Sequence, residues 1–426
     1  MNEETLTFPD QLRSLFNRWK KRILIFLVVL GPGLITAVAD NDAGGVATYT
    51  VAAAMFGIAS QLLIIPTTIL LAVTQEIGAR IAVVTRKGLA DLIRERYGIR
   101  ISLLVFLVYF IINQGVVLQN ITGLKASFQL FKLPWQLMLI LTCAFLSLII
   151  VNFDYKKIQR IFIALIIFYF SYVVVAVIVR PDWINLIKET FWPHETKLNL
   201  TYWFSLIAVL GTTITAWGQF FVSSYINDKK LSIDHLRYEK IEIYTGAFIT
   251  NFFSFMIAVA VTETLFTKHI PAINGQTAAL ALKPLAGELS FILFATGLFG
   301  ASILGLTIVP LATAYVFSEL FGYEGSLDID FNKGRLFYLF FLIQILIGLV
   351  TTLIPQVSLF SLTLYVDFLN GAMLPLIFFF LIKFSEDKEI MGEYVSKGFT
   401  RIFLRISAAV ITLAVVISAL GKLFHI

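Results

Sequence analysis

Apolar residues fill long runs along this chain, and the polar segments between them are short. Set against the roughly twenty apolar residues that a membrane-crossing helix needs, the pattern predicts eleven spans. They fall at approximately 23–56, 58–84, 101–122, 134–152, 158–179, 202–226, 240–263, 286–318, 335–354, 358–383 and 401–421. Residues 1–22 are polar and basic and lack the short apolar core and small-residue cleavage site of a signal peptide, so they are expected to persist as an N-terminal tail. Two of the runs are interrupted, the first at 40–45 and the sixth at 211–219.

Composition agrees with this pattern. Hydrophobic residues make up 58% of the chain and charged residues 14%, with a mean hydropathy of +0.86. A soluble domain carries nearer a quarter charged residues, so the chain is expected to be a polytopic membrane protein. Its polar stretches, about twenty residues at most, leave no room for a soluble domain of roughly fifty. Cys143 is the single cysteine; it sits in an apolar run, reads as a small core residue and can form no intramolecular disulfide. The net charge of +6 is spread over loops, which suits anionic lipid headgroups and gives no basis for a nucleic-acid partner. With the N-terminus in the cytoplasm, the tail and the inside loops (86–100, 152–160, 227–240, 322–335 and 383–401) carry about 23 Lys and Arg against about 8 outside. The expected topology is a cytoplasmic N-terminus, eleven helices and an external C-terminus.

The interruption in the first span reads Ala39-Asp40-Asn41-Asp42-Ala43-Gly44-Gly45. A carboxylate in hydrocarbon costs several kcal/mol unless it is paired, solvated or bound to a cation, which makes intramembrane acids functional candidates. Gly44 and Gly45 weaken the helix there and free backbone carbonyls, as in transporters that build ion sites from broken helices. If this segment were a loop outside the membrane, its apolar flanks would be too short to span separately. Asp42 can cap a half-helix beginning near Val46 and still offer an oxygen to an ion. Asp40 and Asp42, two apart, share one site only if the segment is unwound. The sixth span breaks at Gly211-Thr212-Thr213-Ile214-Thr215-Ala216-Trp217-Gly218-Gln219. Breaks at corresponding places in two five-helix units, whose offset reverses membrane orientation, point to an inverted-repeat secondary transporter.

Gly31-Pro32-Gly33 with Asp42-Ala43-Gly44-Gly45 resembles the start of NRAMP-type divalent metal transporters, whose first helix carries Gly-Pro-Gly and then Asp-Pro-Gly-Asn. Gln75-Glu76-Ile77-Gly78-Ala79-Arg80, Val84-Thr85, Gly88-Leu89-Ala90 and Arg94-Glu95-Arg96-Tyr97-Gly98 are similar to the family's second helix and following loop. The resemblance holds in spacing over ten helices and at motif level in spans 1, 2 and 6. It implies an all-α, LeuT-type inverted repeat of two five-helix units, about 23–180 and 200–384, with helices 1 and 6 broken and an eleventh helix at about 401–421. The whole of 23–426 is then one transmembrane domain. Departures accompany it: Ala43 and Gly45 replace the family's Pro and Asn, Thr215-Ala216-Trp217 falls where it has Met-Pro-His, and Asn120 stands at an acidic position of helix 3. These replacements resemble those of the NRAMP-related magnesium transporters.

Coordination chemistry leads the same way. A thioether is a soft ligand that selects transition metals, and Thr215 in its place leaves only hard groups. Mg²⁺ prefers oxygen and keeps several waters beside one or two carboxylates, and a smaller residue at Gly45 leaves room for them. The expected ligands are Asp42 foremost, then Asp40, Asn41, the Gly45 position, the Thr212 carbonyl, and Thr215 by its hydroxyl or through water. Trp217 reads as a gating or packing residue; Gln219, Asn120 and Asn370 as supports that hydrogen-bond ordered water or neighbouring helices. His194, His235, His269 and His425 fall in loops or the tail, away from spanning acids, so nothing resembles a zinc site. Glu76 and Arg80 are spaced for an i, i+4 ion pair. Asp367 and Glu263, near span ends, are expected to reach water, and Glu288 and Glu319 receive no role.

The expected function is alternating-access transport of a divalent cation, Mg²⁺ or Mn²⁺, without obligatory proton coupling. The expected location is the cell membrane, a bacterial inner membrane; the sequence does not set the oligomeric state, for which a monomer is the expectation, and no cofactor beyond the transported ion is expected. A proton-coupled Mn²⁺/Fe²⁺ carrier is the alternative, as is a broken-helix carrier of amino acids or amines, although paired acids disfavour a substrate carboxylate. Neither a channel filter nor a nucleophile–base pair is visible in the spans, which disfavours a channel or a membrane enzyme.

Overall fold

The computed structural model describes residues 39–152, 157, 170–194, 199–323, 325–354 and 356–424. The expected tail at 1–22, Gly31-Pro32-Gly33, the first half of span 1, most of span 5 and His425 lie outside the described residues. Every element of regular structure described is helical. In chain order they are α1 (Ala43–Phe56), α2 (Ile64–Thr85), α3 (Leu89–Leu130), α4 (Trp135–Asn152), α5 (Phe170–Ile178), α6 (Trp183–Phe191) and α7 (Leu200–Thr213). There follow α8 (Ala216–Asp228), α9 (Leu236–Val261), α10 (Gly275–Phe321), α11 (Arg335–Thr352), α12 (Leu359–Ser385) and, after a short turn, α13 (Gly398–Phe424).

Ten described segments are long and apolar enough to cross a membrane, with α7 and α8 counted together. Span 5 is described only as α5, which is too short to be among them. The second expected break is present, and the described part of the first is non-helical where expected. Asp40 to Asp42 are non-helical before α1, and α7 and α8 are separated by Ile214 and Thr215, whose backbones leave the helical region. The second break is narrower than 211–219, since Gly211 and Gly218 are themselves helical. Gly211 serves close packing instead: a Cβ there would overlap the Asp367 carbonyl of α12 and approach the Cα of Gly371 to 2.9 Å. Backbones that meet this closely gain van der Waals contact where lipid supplies no hydrophobic drive.

Burial divides the helices by role. The most apolar stretch of the α7–α8 pair is wholly buried and those of α1 and of the second half of α10 nearly so, whereas most of α4 and α13 lies unburied on the outside of the bundle. The most extensive packing is of α10 along α3 and of α12 along α7, with α8 and α9 laid on α2.

Two segments depart from expectation. Residues 89–100 of the segment 86–100, read as a cytoplasmic loop, form the start of α3, because Leu89, Ala90, Leu92 and Ile93 bury a helical face while Glu95 and Arg96 turn outward. Gly98, at φ +76°, interrupts that helix in a conformation that only glycine adopts without strain. α6 was not expected. It is capped by Asp182, which accepts from the amides of Ile184 and Asn185 at 3.1 and 3.2 Å, and its nine residues fall short of a span.

Candidate metal centre

The centre forms where the two breaks meet. Asp42 is the N-cap of α1: its Oδ1 accepts from the Gly45 amide at 3.1 Å, and its carbonyl receives the Val46 amide at 2.9 Å. Its second oxygen is held from α3, where Asn120 Nδ2 donates to Asp42 Oδ2 at 2.6 Å. Asn120 Oδ1 in turn accepts from the Ala43 amide at 3.2 Å, so one carboxamide satisfies both the cap and an otherwise orphaned helix N–H. α10 closes this corner through Gly305, where a Cβ would overlap the Asn120 carboxamide and come 2.6 Å from the Asp42 Cβ.

Asp40 faces other helices. Thr215, the N-cap of α8, donates to Asp40 Oδ1 at 2.6 Å and accepts from the Gly218 amide at 3.1 Å. Gln75 of α2 donates to Asp40 Oδ2 at 3.0 Å. The unwinding therefore lets two acids that are two residues apart serve one region from different sides. Asn41 is turned toward α9, donating to the Thr250 carbonyl at 2.8 Å and accepting from Ser254 at 3.1 Å.

Gly45 carries the oxygen geometry of the centre. A Cβ there would have as its nearest atoms the Asp40 carbonyl, Asn41 Oδ1 and Thr212 Oγ1, at 3.2, 3.3 and 3.4 Å. Three oxygens from three residues thus surround the space left by the missing side chain, next to the Asp42 cap. Asp40, Asn41, Asp42, Thr212 and Thr215 are all buried, so this conformation closes the centre to water. The atoms they turn toward the Gly45 space and the Asp42 cap are oxygens, a donor set that suits a small hard cation. Among the described residues no group of three or more His, Cys, Asp or Glu gathers in a way that could hold a metal, so a site here must draw on neutral oxygens beside its acids.

The remaining sequence candidates are buried nearby without bonding either acid. Trp217 is fully buried, with its ring 6.5 Å from Phe221 and its indole N–H without a partner among the described residues. Both side-chain polar atoms of Gln219 and of Asn370 are likewise buried without a hydrogen-bond partner there. Such groups are candidates for ordered water.

Four acids outside the centre complete the comparison. Glu76 pairs with Arg80 at 3.1 Å as expected, and Arg80 also ties to the Tyr394 carbonyl and the Ser396 hydroxyl. Glu263 is partly buried. Glu319 is buried and accepts from the Ala90 amide and from Ser224, at 3.1 and 2.5 Å. Asp367 corrects the expectation that it reaches water: it is only 2% exposed and bonds Thr48 of α1 and Gln119 of α3. The sequence signal was its place about five-sixths of a turn before Asn370, on the same side of a largely apolar helix; proximity to a span end masked it.

A non-helical segment at the head of α1 and the break between α7 and α8, joined by the Asp40–Thr215 bond and enclosed in a bundle of membrane-length helices, define a polytopic membrane protein of the LeuT-type fold. Solved structures agree on the fold. The chain superposes on the Eremococcus coleocola manganese transporter with a TM-score of 0.74 at 16% identity, covering 92% of this chain and 86% of that one. It also superposes on MhsT, solved with L-phenylalanine, with a TM-score of 0.55 at 13% identity, over 91% and 98% of the two chains. The family described as natural resistance-associated macrophage protein-like, Nramp, matches residues 33–420. Among curated relatives, the metal transporter nramp1 homolog of Dictyostelium discoideum is 24% identical over 85% of this chain and 69% of its own length. The divalent metal cation transporter MntH of Mesorhizobium japonicum is 23% identical over 93% and 88%. The chain belongs to the Nramp family.

Proposed function

We propose that this protein transports divalent metal cations by alternating access, taking Mg²⁺ and Mn²⁺ into the cell across the cell membrane, with its N-terminus in the cytoplasm. The observation that carries the reading is the all-oxygen surround of Gly45 beside the Asp42 carboxylate. Named relatives are divalent metal cation transporters, which supports a metal as the substrate. Asp42 is the principal ligand, with Asp40, Asn41 and Thr212 contributing further oxygens. Thr215 holds Asp40 in place and is near enough to act through water. Without a sulfur donor the centre has little means of preferring a softer ion to Mg²⁺, and the larger Ca²⁺ wants more ligands than the centre offers.

Transport is proposed to run on the membrane potential. A divalent ion moving inward gains roughly 4.6 kcal/mol at 100 mV, and Asn120 and Trp217 offer no group that titrates between pH 5 and 8. The observation favouring the proton-coupled alternative is Asp40, a second buried acid whose bonded partners are neutral. An uptake panel in proteoliposomes decides the matter, comparing Mg²⁺, Mn²⁺, Ca²⁺ and Zn²⁺ under an imposed potential with and without a pH gradient. Saturable, potential-dependent Mg²⁺ and Mn²⁺ uptake supports the reading. Exclusion of Mg²⁺ refutes it.

A further inference from the structure

The nine residues of α6 present three faces, and the fold itself accounts for only two of them. Leu186 and Thr190 are buried, where the helix lies on the turn Gly57–Gln61 that follows α1. Asn185, Lys188 and Glu189 occupy a second side and suit water. The third side is apolar. At about 100° per residue, Trp183, Ile184, Ile187 and Phe191 share an arc of about 100°, and Trp192 follows at the end of the helix. Ile184 and Trp192 are 71% and 73% exposed, and Trp183 and Ile187 are exposed as well. A contiguous apolar patch on a helix too short to span marks an interaction surface.

What covers the patch is set by its surroundings. It continues a lipid-facing surface: Val174 and Val177 of α5 are exposed and apolar, and a short connection alone separates α5 from Trp183. Its depth is marked by tryptophan. Four of the six tryptophans in the chain lie at this one face of the bundle, Trp183 and Trp192 on α6, Trp135 at the head of α4 and Trp203 near the head of α7. Tryptophan concentrates at the boundary between hydrocarbon and water. A helix with an apolar side and a polar side at that boundary lies in its plane, the apolar side sunk about 5–10 Å. We propose that α6 docks on the lipid bilayer itself, seating Trp183, Ile184, Ile187 and Trp192 in the interface on the side where α1 ends and α7 begins, the outer side in the proposed topology. The seat reaches the broken helices. Tyr202 of α7 donates its hydroxyl to the Ala59 carbonyl of the turn beneath α6 at 2.9 Å, and its ring stands 5.3 Å from that of Phe56 at the end of α1. α6 thereby fixes to the bilayer the point at which α1 and α7 meet away from the metal centre.

The test is collisional accessibility of a nitroxide label on single added cysteines of the full-length protein in proteoliposomes. Ile184→Cys and Ile187→Cys probe the apolar side, Asn185→Cys and Glu189→Cys the polar side. The protein without an added cysteine gives the background from the buried Cys143. Oxygen concentrates in hydrocarbon and a neutral nickel chelate in water. The expected result is a several-fold excess of oxygen over nickel collisions at the Ile184 and Ile187 positions, and the reverse at Asn185 and Glu189. Nickel access at all four positions overturns the proposal, because α6 would then stand clear of the membrane as a lid in water. Low access of both reagents at Ile184 and Ile187 also overturns it, assigning the face to another protein surface. All four side chains are at least partly exposed, so the variants should melt close to wild type; should one on the apolar side not fold, Trp192→Cys takes its place. The readout is independent of the ion carried. Membrane seating without divalent uptake keeps this inference and removes the proposed function, and uptake without seating does the opposite.

Discussion

The sharpest test of the metal centre is a pair of substitutions at Asp42, because the structure separates its structural role from its charge. Its two oxygens accept one bond each, from the Gly45 amide and from Asn120 Nδ2. Asp42→Ala removes both. Loss of an N-cap costs about 1 kcal/mol, and stranding the buried Asn120 amide adds about 1–3 kcal/mol, for about 2–4 kcal/mol in all. Asp42→Asn keeps the cap bond and strands only the Asn120 amide, so its cost is about 1–3 kcal/mol. On structural grounds alone the Asn variant should fold and melt only slightly below wild type. On the metal reading it should fail, because a neutral carboxamide has replaced the principal charged ligand. Changes merely beside a metal ligand typically cost 10–100-fold in affinity, so loss of the ligand's charge should cost more than about 100-fold. The assay is Mn²⁺ and Mg²⁺ uptake into proteoliposomes, with melting of the same preparations as the folding control. A folded Asp42→Asn protein that takes up either ion with unchanged half-saturation refutes the assignment.

Further outcomes follow from the same geometry. Thr215→Met should shift the uptake ratio from Mg²⁺ toward Mn²⁺ in competition assays, while losing about 1 kcal/mol from the α8 cap that Thr215 provides. A trapped pH dye should show no metal-dependent acidification inside proteoliposomes; acidification in wild type that disappears in Asp40→Asn would transfer the proton to Asp40 and establish the coupled alternative. Gly211→Ala drives a methyl into the Asp367 carbonyl and should lower the melting temperature or abolish folding, whereas Ala at the exposed Gly392 position, where a Cβ would meet nothing within 4 Å, pays only the strain of its positive φ.

Much of this arrangement was legible in the chain because the bilayer enforces it. Hydrophobic run length located the spans, and acids with glycines in an apolar run located the first break. Asp42 as a cap and Glu76 with Arg80 as a pair follow from local spacing, which sequence displays directly. What was hidden depends on contacts between distant elements. That Asn120 would hold Asp42, or Thr215 hold Asp40, requires knowing which helices meet. Asp367 was misjudged for the same reason: its depth is set by Thr48 and Gln119, 319 and 248 residues away. α6 escaped a search tuned to bilayer thickness, since its signal is a cap and one apolar stripe rather than a long run.

The two acids of the centre are moored to different parts of the bundle. Asp40 is tied to Gln75 of α2 and to Thr215 at the head of α8, and α8 lies along α2. Asp42 is tied to Asn120 of α3, and α3 lies along α10. Any sliding of the first pair of helices against the second therefore alters the spacing of the carboxylates, and with it the hold on a doubly charged ion. On the proposed function, capture and release become one mechanical coordinate: the bundle would grip when its halves bring the acids together and let go when they part, with no separate trigger at the ion itself.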